Sequence, residues 1–176
     1  MDNYFELYNI PVTFLPDIKA VKGKFYELSR KYHPDRFANA EDTAKMEALR
    51  MAAINNDAYQ TLGNRYETIA YILRLNGLLE DEEKYNLPPD FLMEMMELNE
   101  AISEYELEPD NEDMKTQAKN SLKTQLDYWD KEINPLIDKF EKGNHSKELL
   151  LNIKDYYFRK KYLLRIQQRI ATFATR

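Results

Sequence analysis

Tyr32-His33-Pro34-Asp35-Arg36-Phe37 is the stretch on which the reading of this chain turns. A proline pushes the residue before it out of the α region, so a helix arriving from the N-terminal side is predicted to stop at Tyr32. His33 and Asp35 are then held out on a stiff loop before the next helical segment, an arrangement suited to recognition of a partner. Upstream, Asp17 is the predicted N-cap of that first helix. From there Ile18, Val21, Phe25, Leu28 and Tyr32 recur at intervals of three and four, the apolar face of a helix. Lys19, Lys22, Lys24, Arg30 and Lys31 fall mostly off that face. Downstream, a second helix is expected over about 41–62, with Met51, Ile54, Ala58 and Leu62 as its buried stripe. The short loop makes it an antiparallel partner of the first. Gly63-Asn64 reads as a stop, and a third helix over 65–75 carries Ile69, Ile72, Leu73 and Leu75.

After Asn76-Gly77 the composition becomes strongly acidic, and Leu87-Pro88-Pro89 interrupts any helix. The expected division is a first domain over 1–77, a linker over 78–89 and a second domain over 90–176. The second domain reads as three helices. The first starts at Asp90 and ends by Pro109, with Phe91, Met95, Leu98, Ile102 and Tyr105 as one seam. The second carries Met114, Ala118, Leu122, Trp129, Ile133 and Phe140, with Pro135 expected to kink or locally break it. The third begins near Ser146 and places Leu149, Ile153, Tyr156, Leu163, Ile166, Ile170 and Phe173 inward. Short connections between long helices imply an antiparallel bundle.

The charge is uneven. Residues 19–36 hold six basic side chains against two acidic ones, and residues 78–113 hold fourteen acidic side chains against one basic, so two different partner surfaces are expected. Ordinary solvated helix faces are the competing explanation for each patch alone. The overall charge of −6 argues against generic nucleic-acid binding. No apolar run reaches the ~20 residues of a membrane span, and the first residues lack a signal peptide's pattern, so a cytoplasmic location is expected. With no cysteine there is no disulfide and no thiolate metal site.

His33 and Asp35 resemble an acid–base pair, but no nucleophile, metal-ligand spacing or glycine-rich phosphate loop accompanies them. No enzymatic activity and no cofactor are expected. Contact with an acidic partner suits the loop better; a plain connector in which Asp35 caps the next turn is the alternative. On the first bundle helix, Leu92, Met93 and Met96 are surplus to the seam and are followed by Glu97, Glu100 and Glu104. Surplus apolar side chains beside a carboxylate row suggest a partner patch, and methionine adapts well to such surfaces. The same three residues could instead widen the bundle core or pack under the first domain.

Tyr4-Phe5-Glu6-Leu7, the basic helix, the loop at 32–37 and Ile54-Asn55-Asn56-Asp57-Ala58-Tyr59-Gln60-Thr61-Leu62 follow the order found in J domains, which this half resembles. The resemblance implies that His33, Pro34 and Asp35 bind a DnaK/HscA-class chaperone and stimulate its ATPase, with Lys22, Lys24, Arg30 and Arg36 as docking charges. Tyr26-Glu27 depart from the pattern, standing where many general J domains carry two basic residues. The glycine-rich and cysteine-rich tracts of general J proteins are absent. Tyr71-Ile72-Leu73-Arg74-Leu75-Asn76-Gly77 and Phe91-Leu92-Met93-Glu94-Met95-Met96-Glu97-Leu98 make the chain similar to HscB-type co-chaperones of iron–sulfur cluster assembly. This implies an all-α, L-shaped protein: a J domain (an antiparallel helical hairpin bearing the His-Pro-Asp loop) plus an antiparallel three-helix bundle. The bundle would bind an IscU-type iron–sulfur scaffold through Leu92, Met93, Met96, Glu97, Glu100, Glu104 and Phe158. A J-domain co-chaperone serving a different client is the alternative.

Overall fold

Asp17 begins α2 (Ile18–Lys31) by accepting the Lys19 backbone N–H at 2.9 Å, and the Tyr32 N–H closes it on the Leu28 carbonyl. The computed structural model describes residues 3–173. Helices α1 (Tyr4–Leu7), α2, α3 (Asp42–Leu62) and α4 (Arg65–Leu75), with a 3-10 turn at Pro34–Phe37, lie in one unit, Met1–Gly77. Helices α5 (Pro89–Leu107), α6 (Glu112–Glu141) and α7 (Lys147–Phe173) lie in a second, Leu78–Arg176. No strand occurs among the described residues.

In the first unit α3 is the centre, packing against α2, α4 and the 3-10 turn. Val21 and Leu28 are buried as the periodicity requires, but Ile18, on the same predicted stripe, is exposed. It sits in the first turn, where the chain has only just reached the interface. The buried side of α3 is Ala48, Asn55, Ala58 and Leu62, with Met51 and Ile54 at its margin. On α4 Ile69, Ile72 and Leu73 are buried and the terminal Leu75 is not.

Asn55 is almost completely buried. Its Nδ2 donates to the Phe25 carbonyl and the Ser29 hydroxyl, each at 3.0 Å, and its Oδ1 accepts from the Tyr8 hydroxyl at 2.9 Å. A buried amide is tolerated when its hydrogen-bonding capacity is used in this way. Burial, reinforced by Tyr59, pushes the Tyr8 phenol well above its usual range. Phe25 stacks on Tyr59 with centroids 4.3 Å apart, and Tyr4 stacks on Tyr71 at 4.5 Å while donating its N–H to the Tyr71 hydroxyl.

Gly63 stops α3 for a reason other than the left-handed cap its position suggests. Its φ is −83°, and a Cβ there would stand 2.7 Å from the Tyr59 carbonyl oxygen, so close approach requires glycine. Asn64 opens α4, accepting the N–H groups of Tyr66 and Glu67.

The second unit is an up–down–up bundle. Phe91, Met95, Leu98, Ile102 and Tyr105 are all buried. They meet Ala118, Leu122, Trp129, Ile133, Ile137 and Phe140 of α6 and the buried stripe of α7, from Leu149 to Ile170. Tyr156 is only half-buried, and the side chain of Phe173, also expected inward, lies outside what the structure describes. Along α5 and α7, Asn99 bonds Tyr162 and Arg169 pairs with Glu106 in the same order, so these two helices run parallel. Helix α6 continues through Pro135 without a break. Proline removes one backbone hydrogen bond, and packing on both sides of it holds the helix together. The segment 78–88, expected as a linker, groups with the bundle: Leu79 is buried, Glu83 pairs with Lys154, and the Tyr85 hydroxyl donates to Asp155 at 2.9 Å.

Candidate functional site

The loop after α2 is a capped turn. His33 takes the extended conformation its place before Pro34 requires (φ −63°, ψ 131°), and Pro34 opens the 3-10 turn. The His33 Nδ1 accepts the Asp35 backbone N–H at 3.3 Å. That bond assigns the neutral ring its tautomer, with the proton on Nε2 as the outward donor. The Arg36 N–H bonds the His33 carbonyl at 3.0 Å, and its guanidinium donates to the Arg30 carbonyl at 3.3 Å, fastening the turn to the C-terminal end of α2. Pro34, Phe37 and Ala38 close against Lys45, Ala48 and Leu49 of α3 around a small apolar crevice. Asp35 is almost fully exposed, and its carboxylate lies 3.6 Å from Nδ1, too far for a hydrogen bond. A rigid backbone thus presents one imidazole donor and one carboxylate acceptor to solvent.

Beside this turn Lys22, Arg30 and Arg36 are exposed. Lys24 differs from them: it pairs with Glu27 at 2.8 Å, and this hydrogen bond, with the charges of Lys24, Lys31 and Arg30, holds the Glu27 carboxyl below its ordinary value. Part of the expected docking charge is therefore answered within α2.

On α5 the buried seam and the acidic-apolar patch occupy different sectors. At about 100° per residue, Leu92, Met93, Met96, Glu97, Glu100 and Glu104 span an arc of roughly 140° separate from the seam. All six are exposed, Met93 and Met96 to about 70%. They do not widen the bundle core. Phe158 differs. It is only 7% exposed, because Tyr85 lies flat on it with ring centroids 4.3 Å apart. Lys154 and Lys161 approach its ring as well, at 6.0 and 5.8 Å. Phe158 is thus a packing residue, not a member of the exposed patch.

Two side chains that organise these surfaces escaped the sequence reading. Asn55 ties α1, α2 and α3 together, and a polar residue inside an apolar stripe was its only signal. Tyr85 covers Phe158; burial, and then its bond to Asp155, pushes its phenol up to about 12. Its contacts lie some 70 residues away, and no spacing rule reaches that far. Among the described residues no group of His, Cys, Asp or Glu is arranged to hold a metal ion, and no helix is long and apolar enough to cross a membrane.

An all-helical chain with a His-Pro-Asp turn at the end of a basic helix, followed by a separate three-helix domain, has the fold of J-domain proteins with a helical C-terminal domain. Residues 87–171 match the family described as "HSCB C-terminal oligomerisation domain". The chain is 41% identical over 101 residues to the co-chaperone protein HscB homolog of Vibrio cholerae serotype O1, covering 57% of this chain. It is 41% identical over 103 residues to that of Vibrio vulnificus, covering 58%. The matched stretches span 59% and 60% of those relatives' own lengths, under two thirds. Among solved structures, the chaperone HscB from Vibrio cholerae superposes with a TM-score of 0.76 at 27% identity, covering 97% of this chain and 96% of that one. The human co-chaperone protein HscB gives 0.80 at 25% identity, covering 98% and 82%. Within that architecture, the chain is similar to the HscB co-chaperones, most specifically over residues 87–171.

Proposed function

We propose that this chain captures an IscU-type iron–sulfur scaffold protein on α5 and delivers it to a DnaK/HscA-class chaperone, whose ATPase it stimulates through His33, Pro34 and Asp35. The outcome is transfer of the cluster from the scaffold to a recipient. ATP hydrolysis takes place on the chaperone, and the cluster is cargo on the scaffold.

The single observation that supports this most is the coexistence on one chain of the braced His-Pro-Asp turn and the unpartnered Leu92–Glu104 face. The exposed cations of α2 steer the turn toward an acidic surface, and the turn then supplies the specific hydrogen bonds. On α5, Leu92, Met93 and Met96 give the scaffold an apolar anchor, with the carboxylates beside it fixing orientation. Carrying both sites on one chain turns the client's second encounter into an intramolecular one, at an effective concentration of about millimolar for a short connection.

The test combines steady-state ATP hydrolysis by such a chaperone with capture of an IscU-type scaffold. The unmodified chain raises hydrolysis and His33→Gln does not; the Leu92→Ala/Met96→Ala pair loses capture while keeping stimulation. Equal hydrolysis with unmodified and His33→Gln protein removes the co-chaperone reading. Failure of the unmodified chain to retain the scaffold removes the iron–sulfur assignment.

A further inference from the structure

Helix α2 contains a glycine that its own fold does not need. Gly23 lies in the helix interior, where only proline is less favourable, and its φ is not in the left-handed region. Beyond its chain neighbours and the adjacent backbone of its own helix, a Cβ built on it meets nothing within 4 Å, so close packing does not require its absence. Gly23, Tyr26, Arg30 and His33 follow one another at intervals of three and four, which puts them on one exposed stripe running into the His-Pro-Asp turn. With Ser29 they line a shallow groove of about 470 Å³ whose walls are mostly apolar. The Tyr26 ring stands about half exposed along it, and Ser29's hydroxyl is already engaged by Asn55. Lys19, Lys22 and Arg30 rim it with positive charge, whereas Lys24 is paired with Glu27.

We infer that Gly23 and Tyr26 form a specificity notch that receives an apolar side chain projecting from an acidic surface of the partner ATPase chaperone; this rests on the function proposed above. The occupant's chemistry follows from the site. A mostly carbon-lined floor takes an aliphatic or aromatic side chain, and the cationic rim with the His33 donor selects carboxylates around it. Continuity with His33 makes the notch and the turn a single docking surface.

The measurement is the concentration of full-length chain giving half-maximal stimulation of a DnaK/HscA-class ATPase, alongside the thermal midpoint of each variant. Gly23→Ala and Gly23→Leu remove the unfavourable glycine and leave the midpoint equal or higher. Gly23→Leu fills the notch and raises the half-maximal concentration by about tenfold or more, as an apolar slot discriminates against surplus methylenes; Gly23→Ala raises it less. Unchanged half-maximal concentration in Gly23→Leu, while His33→Gln still abolishes stimulation, overturns the notch and leaves the proposed function standing. No stimulation by the unmodified chain overturns both. Because the chain has no cysteine, Gly23→Cys carries a unique photocrosslinker. Its capture of the chaperone supports the proposal, and capture of a second copy of this chain in its place overturns it.

Discussion

Replacing Asn55 with alanine tests what ties α1, α2 and α3 together. The substitution removes three side-chain hydrogen bonds: two donated to the Phe25 carbonyl and Ser29 hydroxyl, and one accepted from Tyr8. None of the three partners becomes a buried orphan. The Tyr8 hydroxyl still reaches the Asn55 main-chain carbonyl at 3.0 Å, Ser29 is partly exposed, and the Phe25 carbonyl lies inside α2, where it keeps a helical donor. The cost is therefore close to that of three ordinary intramolecular bonds, about 1 kcal/mol each, or about 3 kcal/mol in all. A domain of this size has a total stability of roughly 4–12 kcal/mol, so the substitution removes a large share of it and lowers the midpoint by about 10 °C or more. Native-state hydrogen exchange of the full chain reads the effect where it occurs: protection falls across α2 and α3 and is unchanged across α5–α7. Tyr8→Phe loses a single hydroxyl and has a smaller effect of the same pattern. Protection of α2 and α3 that falls by less than about 0.5 kcal/mol in Asn55→Ala refutes the assignment of this network as the tie between these helices.

On the bundle, Phe158→Ala truncates a buried aromatic and costs about 3–5 kcal/mol, whereas the exposed Met96→Ala changes stability by less than about 0.5 kcal/mol. Paired thermal unfolding and scaffold capture separate the two roles, because Met96→Ala weakens capture at full stability and Phe158→Ala weakens it only as the bundle unfolds. Glu83 gives a pH-dependent effect. Burial raises its carboxyl, but the hydrogen bond from Lys154, the Glu80 N–H and the Lys154 charge outweigh that, so its folded value lies below the ordinary one. A carboxyl depressed by folding stabilises the folded state above its unfolded pKa, and that contribution is lost as pH falls through the folded value. Lys154→Met therefore lowers the denaturation midpoint at neutral pH, and the difference from the unmodified chain shrinks to nothing well below the carboxylate range. A difference independent of pH would assign the effect to packing of the Lys154 stem.

The α5 seam, the Asp17 cap and the end of α2 at Tyr32 were legible in the amino-acid order because they are local. A helix places residues three and four apart on one side, a cap acts within its first turn, and a proline constrains its immediate neighbour. The exposed Leu92–Glu104 face follows from the same periodicity, since residues outside the seam's sector can meet it nowhere else on the helix. Periodicity says which residues share a side, but burial depends on what arrives from elsewhere in the chain. Ile18 and Val21 share a stripe, yet only Val21 is covered. Phe158 has the look of a surface anchor until Tyr85, distant in sequence, lies over it. Asn55 is an ordinary polar residue until α1 and α2 close around its amide. Tertiary structure alone decided these three, because desolvation and hydrogen-bond satisfaction belong to pairs of segments that only the folded chain brings together.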